Sequence, residues 1–226
     1  MIVQNENEDG LEIMDVIEQN KKGTGRHESE HKFVTKCRPN KLFELICELN
    51  DEQKKAVEEI GFGGLLHLKL IKEIPRGIVE LLIKAFKPTS YMFRAKKIEF
   101  LLSKADVHDV FLLSRVGARV QKPMTGNCKV TADDELKVEW RRKFGLESKA
   151  NPIKLNIVHD RLMSCNESGD DFKKLFVLYS MSIFLAPTTN YTLDLKLLRA
   201  VEDVANIKNS DWSLYVFEAV GREICW

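Results

Sequence analysis

Apolar residues after position 39 recur with the three- and four-residue spacing of amphipathic helices. Pro75 suits the first position of a helix, where its missing N–H costs nothing. Behind it, apolar residues stand at i, i+3, i+4 and i+7, namely Ile78, Leu81, Leu82 and Ala85. This spacing predicts a helix with one buried apolar face.

Capping residues mark where several helices begin and end. An acceptor side chain followed three residues later by Gln or Asp resembles a capping box, which satisfies two backbone N–H groups at a helix start. Such pairs are Asn50 with Gln53, Ser103 with Asp106, and Thr131 with Asp134. Gly61 and Gly145, which can adopt positive φ, predict the ends of the first and third of these helices.

Further helices are predicted in the second half of the chain. The apolar stretch over residues 172–186 is predicted as a core helix that Asp171 caps and Pro187 ends. The other predicted starts are Asn151 ahead of Pro152, Thr192 and Ser210.

The segment YMFRAKKIEF, residues 91–100, alternates weakly and could form one small β-hairpin, although its middle is a poor turn sequence. Residues 1–36 lack an apolar period and change from an acidic block to a basic one, which predicts a flexible charged tail. The fold class is therefore mainly α: a single multi-helix globular domain over residues 37–226.

Composition excludes several classes of protein. Thirty-five basic and thirty-four acidic residues leave a net charge of +1, so no overall field attracts nucleic acid or an anionic membrane. The longest apolar run, residues 175–186, is too short for a bilayer span of about 20 residues. Five scattered cysteines and an acidic start without a leader pattern indicate a nuclear or cytoplasmic protein.

The glycines of GFGG, residues 61–64, do not match a phosphate-binding loop. A dinucleotide loop needs a further glycine where Leu66 stands and a strand in front, and here a predicted helix precedes the glycines. We interpret the segment as a joint between helices, in which Gly61 supplies positive φ and Gly63 or Gly64 permits a close backbone approach.

Histidines and cysteines form no recognisable reactive set in the sequence. His27 and His31 could bind a metal only weakly, and His67, His108 and His159 stand alone. Cys47 is interpreted as a small core residue. No cofactor, metal or catalytic residue is predicted, and we expect no interior pocket reserved for reactive groups.

One basic cluster could contact nucleic acid. It comprises Lys137, Trp140, Arg141, Arg142 and Lys143. Arginine would pair with phosphate, and an exposed tryptophan could stack on a base. The favoured interpretation is a helix with Trp140 in the core and its charges in water, because neighbouring acids cancel the field.

Three stretches resemble a known family. They are EEIGFGGLLHLKLIKEIPRGIVELLIKAFKP, ADVHDVFLL and FVLYSMSIFLAPTTNYTLDLKLLRAVEDVANIKNSDWSLYVFEAV. Together they resemble the plant mobile domain, often labelled aminotransferase-like, which occurs in transposon-derived proteins and frequently upstream of a SUMO-specific cysteine protease domain. The resemblance implies a plant, nuclear protein, and it brings no established active-site residues.

These observations leave three hypotheses of function. The leading one is a noncatalytic helical interaction module with protein partners, because capped amphipathic helices are abundant and convergent polar chemistry is absent. The alternatives are nucleic-acid binding through the basic cluster and an enzyme of the aminotransferase-like label. No membrane partner is expected, and the oligomeric state is left open.

Overall fold

The computed structural model describes residues 36–70, 76–95, 98–120, 132–146 and 151–223. Several predictions lie outside these ranges: nearly all of the charged tail with His27 and His31, and the helix-starting roles of Pro75 and Thr131. Within the described ranges the structure is mainly α, as predicted.

Ten α-helices lie in the described residues. They are α1 (Pro39–Glu48), α2 (Asp51–Glu59), α3 (Arg76–Ala85), α4 (Lys104–Phe111), α5 (Ala132–Lys143), α6 (Leu155–Met163), α7 (Asp170–Ser180), α8 (Leu198–Glu202), α9 (Val204–Ile207) and α10 (Trp212–Glu223). Short 3-10 turns cover Gly63–His67 and Leu195–Leu197, and a π-helical turn, Met181–Leu185, continues α7. No helix in the described ranges is long and apolar enough to cross a membrane.

The described residues also form two small β-sheets. Strands β1 (Phe86–Lys87), β2 (Met92–Ala95) and β3 (Ile98–Leu101) form an antiparallel sheet in that order, with Phe93 opposite both Phe86 and Phe100. The predicted hairpin is therefore confirmed, and the sheet has a third strand. Strands β4 (Ala118–Arg119) and β5 (Ser210–Asp211) pair in parallel.

The capping boxes predicted within the described ranges are present. The Asn50 side chain accepts a hydrogen bond from the Gln53 N–H at 2.9 Å, and the Gln53 side chain accepts one from the Asn50 N–H at 3.1 Å. Ser103 and Asp106 form the same box at the start of α4. Gly61 and Gly145 adopt φ of 80° and 68° directly after their helices, so both predicted ends are confirmed.

Helix α6 starts later than predicted. Leu155 is its first residue, so the start at Asn151 and Pro152 is wrong. The residues just before it are held in extended pairing, because the Leu193 N–H donates to the Ile153 carbonyl at 2.8 Å and the Leu155 N–H donates to the Tyr191 carbonyl at 3.0 Å. The extended backbone of Lys154, with φ of −75° and ψ of 138°, therefore places the start of the helix at Leu155.

The same pairing displaces the helix start predicted at Thr192, which forms a β-bridge with Lys154. The helical turn begins at Leu195 instead, and the Asp194 side chain accepts from the Lys196 N–H at 3.0 Å. Two other capping assignments are also wrong, since Gly169 rather than Asp171 precedes α7, and Asp211 rather than Ser210 accepts from the Leu214 N–H.

Helix α7 and its π-helical turn form the centre of the core. Every residue from Leu175 to Ile183 is buried. Two serines remain satisfied there because Ser180 donates to the Phe176 carbonyl at 2.8 Å and Ser182 donates to the Leu178 carbonyl at 2.7 Å. Burying each large apolar side chain contributes about 1.5–3 kcal/mol, so this segment is a major contributor to the stability.

The apolar face predicted for residues 76–85 is not buried. Helix α3 packs against β2, but Ile78 is 37% exposed and Leu82 is 47% exposed. The spacing correctly predicts the helix, and the prediction of a covered face is wrong because the described elements provide no second layer over it.

Candidate functional site

The glycine segment is structural, as interpreted from the sequence. Gly61 ends α2 with positive φ, and a Cβ added to Gly64 would lie 2.1 Å from the Phe111 carbonyl oxygen. Phe62 and Leu65 are fully buried, and the Phe62 ring meets the Trp212 ring edge to face at 5.4 Å. The close approach at Gly64 therefore joins this turn to the end of α4.

The basic cluster lies on α5 but lacks its proposed stacking residue. Trp140 is only 6% exposed, so its role as an exposed stacking platform is wrong and its interpretation as a core residue is confirmed. Lys137 pairs with Asp134 at 3.4 Å, and Lys143 pairs with Asp171 at 3.1 Å. Carboxylates therefore neutralise these two cations.

Two arginines of the cluster differ from the lysines. Arg142 is exposed, and Arg141 is half-buried with its Nε lacking a hydrogen-bond partner. Contact between these two arginines and nucleic acid stays a prediction.

The three isolated histidines do not form one site. His67 ends a 3-10 turn, and the His108 ring is tied to the Leu113 carbonyl, which accepts from its Nδ1 at 2.6 Å. His159 lies on α6, beside a cavity. Among the described residues, no group of three His, Cys, Asp or Glu side chains could hold a metal ion.

Among the described residues, no cysteine lines that cavity. Cys47 is exposed on α1, so its interpretation as a core residue is wrong; the buried face of α1 is taken by Leu42, Leu45 and Ile46. Cys37 donates to the Phe184 carbonyl at 3.6 Å, and burial raises the pKa of its thiol to about 11. At neutral pH Cys37 is a thiol, which is a poor nucleophile.

A cleft of about 430 Å³ opens where the start of α1, the start of α6, the end of α7 and the loop before Leu193 meet. We call it the His159 cleft. It is lined by Arg38, Lys41, Lys154, Leu155, Asn156, His159, Asp160, Tyr179, Ile183, Asn190 and Tyr191. The cleft is open to solvent, so the expectation that the fold reserves no interior pocket for reactive groups stays a prediction.

A histidine–tyrosine pair lines the inner part of this cleft. The buried Tyr179 hydroxyl and His159 Nδ1 are 2.9 Å apart, within hydrogen-bond distance. Burial raises the pKa of Tyr179 well above its usual value. Burial, followed by the nearby positive charge of Lys41, lowers the pKa of His159. Both environments therefore favour neutral side chains, and one hydrogen bond joins them.

Cations surround the outer part of the cleft. The Arg38 guanidinium stacks 3.9 Å from the centre of the Tyr191 ring, and Lys36 Nζ lies 5.0 Å from the same ring. Lys41 pairs with Glu44 at 2.6 Å. Arg38 and Lys154 also line the cleft, and both are exposed; the described residues provide no carboxylate partner for either.

A second exposed feature is the outer edge of the three-stranded sheet. The Phe86, Phe93 and Phe100 rings form a row on one face, with centroids 4.8 Å and then 6.3 Å apart. Exposure rises along this row from 6% at Phe86 to 46% at Phe100. We call β3, with its exposed Ile98, Phe100 and Leu101, the β3 edge.

Residues 35–225 match the family model of a domain of unknown function, DUF8566. The chain belongs to the DUF8566 family. No curated protein and no solved structure matches the chain significantly.

Both features lie within the residues that match DUF8566. The sequence held no motif for either, because the cleft combines residues from positions 38 to 191 and the β3 edge is recognisable only from its exposure.

Proposed function

We propose that this DUF8566 domain is a noncatalytic interaction module whose β3 edge binds an extended, apolar segment of a partner protein. The observation that carries the proposal is the row of phenylalanines that ends in an exposed ring at the rim of the sheet. The inert thiol of Cys37 and the mutual hydrogen bond of His159 and Tyr179 are consistent with a role that needs no reaction.

The backbone of β3 supplies the directional part of this binding. Among the described strands, β3 pairs with β2 alone, and within the described residues no strand pairs with its other side. A peptide that adds a strand gains affinity from main-chain hydrogen bonds and specificity from its alternate side chains. An unblocked apolar edge is otherwise an aggregation hazard, which argues for an occupant.

Side chains on β3 determine which residues the partner needs. Ile98 and Phe100 lie on the same face, and Ile98 is 56% exposed. The opposite face carries Leu101 and the ion pair of Arg94 with Glu99 at 2.5 Å. The partner strand therefore presents apolar residues beside Ile98 and Phe100, and a polar residue beside Glu99.

Selection from a displayed library of random eight-residue peptides tests this proposal. We expect selected peptides to alternate apolar and polar residues, and to shift the NMR signals of residues 98–101. Phe100→Lys should weaken binding of a selected peptide at least tenfold, whereas Val110→Lys, at an exposed apolar position on α4, should leave it unchanged. In an added strand, the N–H groups that pair with β3 belong to alternate residues of the peptide. Methylating the N–H groups of that edge should abolish binding.

Selected peptides that bind to another part of the protein would refute strand addition. So would peptides that still bind whichever of their two edges carries the methylated N–H groups. Concentration-dependent dimerisation that Phe100→Lys abolishes would instead assign the edge to a second copy of the chain. Sedimentation of the free protein separates these outcomes.

The resemblance to the plant mobile domain supports a further proposal, that the chain is a plant nuclear protein derived from a mobile element. Its support is the order of the three similar stretches within residues 58–220. A fluorescent fusion expressed in plant cells tests the compartment, and exclusion from the nucleus would refute it.

Nucleic-acid binding through Lys137, Arg141, Arg142 and Lys143 is the alternative function. The exposed side chain of Arg142 favours it. The test is a titration of labelled single-stranded RNA and DNA at low salt, followed by changing both arginines to glutamate. Unchanged affinity in the double variant would eliminate this surface.

An enzyme of the aminotransferase-like kind is the third hypothesis. Such an enzyme needs a lysine for the Schiff base and groups that hold the cofactor's phosphate and ring nitrogen. Mixing the purified protein with pyridoxal phosphate and recording the absorbance of a bound aldimine tests it directly. A stable bound band would overturn the noncatalytic proposal.

A further inference from the structure

We propose that the His159 cleft is a binding site for a small organic phosphate, held at its phosphate by Arg38 and Lys154. This proposal concerns a different surface from the β3 edge, and each can fail without the other. It assigns binding and no reaction to the cleft.

Charge is the first reason. The described lining side chains include three cations, Arg38, Lys41 and Lys154, against one carboxylate, Asp160. Lys36 adds a fourth positive charge beside the Tyr191 ring. Glu44 offsets part of the charge of Lys41, and the cleft remains positive although the whole chain carries a net charge of only +1. A concave positive surface raises the local concentration of anions.

The types of cation are the second reason. Arg38 presents a planar fork of donors that suits two oxygens of a phosphate, and its ring contact with Tyr191 holds that plane in one orientation. Lys154 directly precedes α6, whose first turn has no side-chain cap. The positive, N-terminal end of the α6 dipole therefore adds to the positive charge of these side chains.

The shape and remaining lining are the third reason. A volume of about 430 Å³ falls in the range of pockets that hold small organic molecules, so a bare phosphate would leave most of it empty. Leu155, Ile183 and the Tyr191 ring provide apolar contact. Because Nδ1 of His159 is bound to Tyr179, Nε2 is the ring nitrogen left for a polar group of the ligand.

Calorimetric titration of the full chain with matched pairs of probes tests the proposal. The pairs are adenosine monophosphate with adenosine, glucose 6-phosphate with glucose, and phenyl phosphate with phenol, and inorganic phosphate is titrated alone. We expect at least one ester to bind at one site per chain, with its parent compound at least tenfold weaker and inorganic phosphate also weaker than that ester.

Three results would overturn the proposal. They are the absence of binding by all three esters at millimolar concentration, equal binding of esters and their parents, and equal binding of inorganic phosphate and the best ester. Either of the first two results would refute a phosphate site. The third would refute the claim that the cleft also binds the organic group of the ester.

Variants place the binding within the cleft. Lys154→Gln and Arg38→Gln remove exposed charges and should leave the fold intact, so we expect each to weaken the best ester at least tenfold. Arg38→Lys keeps the charge and loses the fork, and it should weaken binding less than Arg38→Gln does. Lys55→Gln, which removes one exposed charge from α2, is the matched control.

An equal loss of affinity in Lys55→Gln would show a general charge effect and refute the cleft as the site. Full retention of affinity in both Lys154→Gln and Arg38→Gln would refute it as well. Thermal unfolding of each variant confirms that the comparison is between folded proteins.

Discussion

Replacing Gly64 with alanine tests the close contact between the glycine segment and α4. The new Cβ would lie 2.1 Å from the Phe111 carbonyl oxygen and 2.8 Å from the Leu112 Cβ, and real Cβ contacts almost never fall below 3.0 Å. The two backbones must therefore separate by about 0.9 Å, the difference between 3.0 and 2.1 Å.

The end of α4 has little freedom to move away. The Leu113 carbonyl accepts hydrogen bonds from His108 Nδ1 at 2.6 Å and from the Ser213 hydroxyl at 2.9 Å, and the Ser213 N–H donates to the Ser114 carbonyl at 2.9 Å. Overpacking costs about 1–3 kcal/mol, and losing one hydrogen bond costs about 1 kcal/mol. We expect the free energy of unfolding to fall by roughly 3 kcal/mol, which lowers Tm by roughly 6–12 °C in a domain of this size.

Gly63→Ala is a control for the same substitution one residue earlier. Its Cβ would lie 3.1 Å from the Glu58 Cγ, part of a flexible exposed side chain, so we expect a change of about 1 kcal/mol or less. Urea and thermal unfolding of both variants measure the difference. Equal stability of the two variants would refute the argument that backbone contact requires glycine at position 64.

Three further predictions concern single side chains. Ser103→Ala should lower the free energy of unfolding, measured in urea, by about 1 kcal/mol, because the Ala105 N–H loses its acceptor. Ser103→Thr keeps a hydroxyl acceptor and should retain most of this stability. A Thr variant as unstable as the Ala variant would contradict a capping role. Because burial lowers the pKa of His159 below 6.5, the unfolded chain binds a proton that the native chain does not, so stability should fall as pH decreases below about 6.5. His159→Gln should flatten this part of the pH profile, and identical slopes would contradict the assignment. At pH 8, iodoacetamide should modify exposed Cys47 well before Cys37, as followed by peptide mass spectrometry, and equal rates would contradict the raised pKa of Cys37.

Local features of this fold are readable from the amino acids alone. The capping boxes at Asn50 and Ser103 and the helix end at Gly61 depend on groups within four positions of one another. The helical character of residues 76–85 likewise follows from spacing. These hydrogen bonds and conformational preferences act within one or two turns, so they leave a pattern in a single stretch of sequence.

Long-range pairing decided the features that the sequence did not predict. Helix α6 begins at Leu155 because residues 153–155 hydrogen-bond to residues 191–193, and no local signal encodes that partner. The exposure of Ile78 depends on which elements cover α3. Periodicity shows that a face is apolar but does not identify what packs against it.

The His159 cleft is the clearest product of tertiary structure. Arg38, His159, Tyr179 and Tyr191 belong to four separate segments, and each alone resembles an ordinary helix or loop residue. The pKa shifts of His159 and Tyr179 arise only when folding buries these two side chains. Electrostatics and desolvation depend on distance in space, whereas the sequence records only distance along the chain.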